Sequence, residues 1–180
     1  MLCLDLFLAS LSKENYKAIE PELVCSESKK FPLLSFGLYV DYFSTEMDNL
    51  TKENDINTLK EFGAKYNWRE NLDHIFKNED FEALVLTNKE QEIIWVNDGF
   101  KEMTGFNKNF ALNKKPSFLQ GSKTCAKTTD IIRDKIKLNK PFIGTVINYK
   151  KNKIAYKCEI KIFPLFSEHT THYIALEKAV

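Results

Sequence analysis

The apolar periodicity of the chain changes at Phe81, and that change constrains the fold more than any other feature of the sequence. Before it, Ile56, Leu59 and Phe62 form one helical stripe in INTLKEFGAKYNW, with Asp55 placed to cap the helix. In LLSFGLYVDYFSTEM, Leu34, Leu38, Tyr42 and Phe43 fall near helical spacing, while Val40 and the aromatic residues leave a strand open. After it come EALVLTN and EIIWVN, two short apolar runs separated by a polar break over 88–92, which predicts a hairpin. DGFKEMTGF has Phe100 and Met103 at helical spacing and Gly105 to end the short helix in a left-handed conformation. TTDIIRDKIKLNK predicts a longer helix running from a threonine cap to Asn139 and Pro141. PFIGTVINYKK, IAYKCEIKIFPLF and THYIALEKA alternate as three antiparallel strands, the first two linked by a bend over 151–153. The expected fold class is α+β, one five-stranded antiparallel sheet with short helices on one face over residues 77–180. A mainly helical extension over 1–76 precedes it.

Charge adds an asymmetry. Residues 1–76 carry 8 basic and 13 acidic side chains (net −5), the remainder 18 and 12 (net +6), and the whole chain is close to neutral. Neutrality gives no reason to expect nucleic acid or an anionic membrane surface, and Lys150, Lys151, Lys153 and Lys157 read as a solvated strand face before a phosphate site. The four cysteines show neither CxxC pairs nor metal-ligand spacing, so reduced thiols and a cytoplasmic location are expected. MLCLDLFLASLSK reads as an amphipathic helix, because no basic residue precedes the apolar run and Asp5 interrupts it. The cluster Phe31, Leu33, Leu34, Phe36, Tyr39, Tyr42 and Phe43 has to be covered. The extension is therefore expected to dock on the sheet or to pair in a dimer, and docking that also builds a homodimer is the favoured arrangement.

The element order, with the residues EIIWVNDGFKEMTGF, resembles the PAS superfamily over about residues 79–180. The spacing from Thr104 to Gly121, closed by FLQG and followed by a helix with Ile132-Arg133, is similar to the flavin-binding LOV branch of that family. The resemblance implies an FMN site in which two arginines hold the phosphate, Asn and Gln amides hold the ring edge, and a cysteine adds to the ring in light. Carried over by position, Gln120, Arg133 and Asn148 are kept. Pro116 stands in place of the reactive cysteine, Ser117 in place of the first phosphate arginine and Lys115 in place of an Asn. Cys158 stands where a second ring-binding Asn is usual, and Glu177 replaces the last-strand Gln. The candidate pocket positions implied are thus Gln120, Arg133, Asn148, Cys158 and Glu177.

Each of these has a plainer reading. The Gln120 amide could cap backbone groups, Arg133 could be a solvated partner of acidic neighbours on its helix, Asn148 could bond across the hairpin, and Cys158 could be a core thiol. Trp95, Phe100, Phe106, Phe118 and Tyr149 read as packing residues first. Losing several polar contacts, at about 1–3 kcal/mol for each group left unpaired, argues against a flavin cofactor while leaving FMN as an alternative. Catalysis finds no motif: there is no Walker loop, nucleophile elbow or GxGxxG, and His169 with His172 lacks helical spacing and a third metal ligand. The expectation is a non-enzymatic sensory or protein-interaction module that binds an unknown small ligand or signalling protein. An FMN-based redox or photoreduction sensor and a structural homodimerisation unit are the alternatives.

Overall fold

The computed structural model describes residues 33–77 and 79–180, with side chains from residue 46 onward. The elements in chain order are α1 (Leu33–Tyr66), α2 (Leu72–Phe76), β1 (Ala83–Asn88), β2 (Ile93–Val96), α3 (Asp98–Thr104) and α4 (Lys108–Ala111). A single 3-10 turn (Pro116–Leu119), α5 (Ala126–Lys137), β3 (Phe142–Tyr149), β4 (Ala155–Phe166) and β5 (Thr170–Ala179) complete them. The five strands make one antiparallel sheet in the order β2-β1-β5-β4-β3, the expected α+β architecture. Among the described residues no helix is long and apolar enough to cross a membrane.

The compact unit that holds the sheet begins at Leu50, inside α1, and so takes in residues 50–76 of the expected extension. Leu59 is fully buried, and Ile56 and Phe62 pack beside it against Leu84, Leu86, Leu165, Ile174 and Leu176 on one sheet face. Leu72 and Phe76 of α2 join the same cluster. Burying each of these side chains is worth about 1.5–3 kcal/mol, which is why this sheet face is covered and not wet. The expected burial of Leu34, Phe36, Leu38, Tyr42 and Phe43 concerns side chains outside the described residues, as does the helix expected over residues 1–13. The backbone of 34–43 is helical, which settles the strand-or-helix ambiguity there.

Asp55 departs from expectation. It lies within α1 and not at its start, because no Gly or Pro interrupts DNLTKENDIN. Its Oδ2 accepts instead from Asn97 Nδ2 at 2.9 Å. The helix ends where Asn67 turns left-handed (φ 53) and the Trp68 N–H returns to the Gly63 carbonyl at 3.0 Å. Between α2 and β1, Asp80 accepts from Lys52 at 2.9 Å and Lys178 at 2.7 Å. Those two ammonium groups, Lys178 first, hold its carboxyl down at about 2.

Strand β1 lies between β2 and β5, and all of its residues from Ala83 to Thr87 are buried. Period-2 alternation sends Leu84 and Leu86 to the α1 face, and Ala83 and Val85 to the opposite, inner face. On that inner face α3, α4, the 3-10 turn and α5 complete the second core around Phe100, Met103, Leu119, Val146, Cys158 and Ile160. Gly105 ends α3 at φ 77, as its position after the periodic residues predicts. The start of α5 differs: the helix begins at Ala126 with Cys125 at the cap position and no side-chain cap bond. Thr129 Oγ1 returns to the Cys125 and Ala126 carbonyls, so its hydroxyl serves the first turn from inside.

Candidate functional site

The inner sheet face, the 3-10 turn and α5 enclose a cavity of about 520 Å³. Its floor is mostly aliphatic, from Val85, Val146, Ile160 and Ile162. Alternation along the strands points Asn148 of β3 and Glu177 of β5 to the same face, and both are buried, each 4% exposed. One wall is the segment from Lys115 to Gln120, set by Pro116 at the first position of the 3-10 turn, where a missing N–H costs nothing. The other wall is the α5 stripe Ile132, Arg133 and Ile136. Tyr173 of β5 ties that helix down, its hydroxyl donating to Asn139 Oδ1 at 2.9 Å and to the Ile136 carbonyl at 3.2 Å.

Four of the five positions inferred from sequence line this cavity. Gln120 sits exposed at the rim, where its backbone N–H donates to the Ser117 carbonyl at 3.0 Å and closes the 3-10 turn. Arg133 is exposed at the mouth and pairs with Asp130 at 2.9 Å, one turn away on α5. Asn148 and Glu177 supply the buried polar groups of the floor. Cys158 is not a lining residue. It is fully buried in the inner core, with Sγ 3.9 Å from Glu177 Oε2.

The electrostatics centre on Glu177. Burial pushes its carboxyl up to about 7, with the Cys158 thiol pulling weakly the other way. Burial, followed by the nearby Glu177 charge, pushes the Cys158 thiol and the Tyr156 hydroxyl above their ordinary ranges. Such a thiol stays protonated and inert near neutrality. Tyr156 is a residue that sequence reasoning missed: its hydroxyl is buried with no hydrogen-bond partner. The signal was present in IAYKCEI, since Tyr156 and Cys158 are two apart on one strand and share a face.

Past the rim, Tyr149 holds the loop after FLQG, accepting from the Lys123 N–H at 2.9 Å and contacting Ser122 Oγ at 3.1 Å. A Cβ at Gly121 would meet the Tyr149 ring at 2.4 Å, which is a packing reason for the glycine of FLQG. Phe100 is fully buried as expected of a packing residue, and Phe106, Phe110 and Phe118 stack edge and face at 5.0–5.5 Å. His172 packs 4.2 Å from the Tyr66 ring and its Nδ1 lies 2.9 Å from Thr171 Oγ1, while His169 is exposed. No group of three metal-ligating side chains occurs among the described residues.

The family model of the PAS domain matches residues 82–177, a span that takes in the cavity and the sheet up to Glu177 of β5. The chain belongs to the PAS domain family. Among curated proteins it is similar to a blue-light photoreceptor of Listeria monocytogenes, 31% identical over 102 residues, which are 54% of this chain and 40% of that protein. It is also similar to phototropin-2 of Oryza sativa, 30% identical over 79 residues, 44% of this chain and 9% of that protein. The chain thus spans less than half the length of these relatives. Among solved structures, the light state of the blue-light photoreceptor Aureochrome1 LOV aligns with a TM-score of 0.54 at 21% identity, covering 56% of this chain and 82% of that one. The LOV domain of a blue-light activated histidine kinase from Erythrobacter litoralis aligns with a TM-score of 0.53 at 20% identity, covering 57% and 98%. This PAS domain therefore has the fold of LOV domains, with five strands and short helices on one face of the sheet.

Proposed function

We propose that this PAS domain is a non-catalytic sensory module of signal transduction whose cavity takes a small ligand without cysteinyl photochemistry. The observation that carries the reading is the cavity itself: about 520 Å³ falls within the ordinary range of ligand sites, roughly 300–1,000 Å³, and its floor combines aliphatic side chains with buried Asn148 and Glu177. Pro116, which the LOV resemblance sets in place of the photoactive cysteine, contributes to the wall and has no sulfur to add to any ligand. The 31% identical photoreceptor and the LOV-type neighbours support a sensory role. The signal would pass to a partner protein from a homodimeric, cytoplasmic molecule, and sedimentation of the full chain tests the dimer. A purely structural dimerisation role, with the pocket filled by the protein's own side chains, gains no support from an open cavity.

FMN is the second reading, favoured by Gln120, Arg133 and Asn148 lining one cavity. Two features fit it poorly. Ser117 cannot reproduce a bidentate arginine contact to phosphate, and the buried Glu177, when ionised, is an acceptor where an oxidised flavin edge also offers acceptors. An absorption spectrum of the purified protein, with mass spectrometry of the supernatant after denaturation, separates the two readings. A colourless protein that shows no flavin mass is expected. A stoichiometric flavin band would replace the first reading by the second. If FMN is added in excess, blue light is expected to give no protein-flavin adduct, and an adduct mass would show that Cys125 or Cys158 does what Pro116 cannot.

A further inference from the structure

The Glu177 carboxyl is 4% exposed, faces the cavity, and has one hydrogen-bond donor from the protein, the Cys158 thiol at 3.9 Å. An ionised carboxylate offers about four lone-pair sites, and a thiol is a weak donor. Among the described residues no lysine or arginine pairs with it. On α5, Arg133 is turned to Asp130 at 2.9 Å and Lys137 to Asp134 at 4.0 Å, both exposed, and Lys115 on the opposite wall is exposed. From β4 the facing groups are Tyr156 and Cys158, whose protons are held chiefly by burial, the Glu82 charge ahead of β1 helping to hold both. Buried polar groups in folded proteins are almost always hydrogen-bonded, and among the described residues only the weak Cys158 thiol donates to this acceptor, which leaves room for a donor from a ligand.

We propose that the cavity selects a largely apolar small molecule whose buried end presents an N–H or O–H donor to Glu177. This rests on the cavity being a ligand site, as read above, and adds the chemistry by which it discriminates. The aliphatic floor and the α5 stripe supply affinity without direction. Glu177 supplies direction, since a ligand of the same shape without a donor leaves the carboxylate desolvated and unpaired. Discrimination built on one buried polar partner is larger than discrimination by one methylene.

Carbazole and dibenzofuran are suitable probes, because they share a shape and differ in N–H against an ether oxygen. Calorimetric titration of the full chain at about pH 8.5, where Glu177 is ionised, should give carbazole at least about tenfold tighter binding. The preference should shrink as pH falls below about 7, where the protonated carboxyl can itself donate to the ether oxygen. Glu177→Leu should remove the preference, and Glu177→Gln, whose amide oxygen still accepts, should reduce it. Equal affinities in the unaltered protein, or a preference that survives both substitutions, would overturn the inference and leave the cavity standing as a ligand site. Binding of neither probe would also overturn it, while the ligand-site reading would still be judged by the spectrum and mass of the purified protein.

Discussion

Asn97 is the side chain on which the largest effect of a single substitution is expected. It is 3% exposed and makes four hydrogen bonds that join three elements. Its Oδ1 accepts from the Leu84 N–H at 2.9 Å and, as the cap of α3, from the Phe100 N–H at 3.1 Å. Its Nδ2 donates to Asp55 Oδ2 on α1 at 2.9 Å and to the Glu82 carbonyl at 3.3 Å. Asn97→Ala deletes a helix cap, worth about 1 kcal/mol, and leaves the buried Leu84 N–H unpaired at about 1–3 kcal/mol. It also strips the amide donor from Asp55, whose pKa burial already raises. The total comes to about 2–4 kcal/mol, or roughly 10 °C in Tm for a unit of this size. Urea unfolding followed by circular dichroism measures it. Asn97→Asp keeps both Oδ1 bonds but sets a second carboxylate against Asp55. The two then share a proton in the folded state, so this variant should regain stability as pH falls and lose it as pH rises, opposite to the usual acid denaturation of a paired carboxylate. A cost below about 1 kcal/mol for Asn97→Ala, or no coupling to Asp55→Ala in a double-mutant cycle, would refute the picture of Asn97 as the link between α1 and the sheet.

Leu59→Ala should cost about 3–5 kcal/mol by urea unfolding, because Leu59 is fully buried between α1 and the sheet; a cost under about 1 kcal/mol would mean that the helix is dispensable to the fold. Glu177 carries a folded pKa of about 7 against an ordinary 4.5, so the native state holds more protons between those values. Its contribution is full below about 4.5 and lost as pH rises through 7, about 3 kcal/mol in all. His172 runs the other way, since burial lowers its pKa and stability is lost as pH falls through it, so the comparison has to be with Glu177→Gln, which should remove only the first slope. Gly99→Ala should prevent accumulation of folded protein, since a Cβ there would sit 1.8 Å from the Glu82 carbonyl oxygen. Gly105→Ala, by contrast, meets its nearest neighbour at 3.4 Å and should cost about 1–2 kcal/mol for its positive φ alone.

Several features were set by short-range pattern and could be read from the chain. The hairpin of β1 and β2, the three later strands and the Gly105 helix end each depend on residues within about ten positions of one another, so periodicity and turn chemistry contain the physics that makes them. The family resemblance in EIIWVNDGFKEMTGF and FLQG was legible for the same reason, as contiguous motifs. Long-range partnership was not legible. Asp55 looked like a cap because capping is a local signal, yet its partner is Asn97, 42 positions away. The continuity of α1 through residues 48–57, and the start of the compact unit at Leu50 within it, depend on burial of Ile56, Leu59 and Phe62 under the sheet. Local propensity is too weak a term to place that boundary. Glu177 and Cys158 sit on different strands, and only the β4–β5 register brings the carboxyl within 3.9 Å of the thiol. The chemistry of the cavity therefore belongs to the tertiary structure, because desolvation is a property of what surrounds a group and not of the residue that carries it.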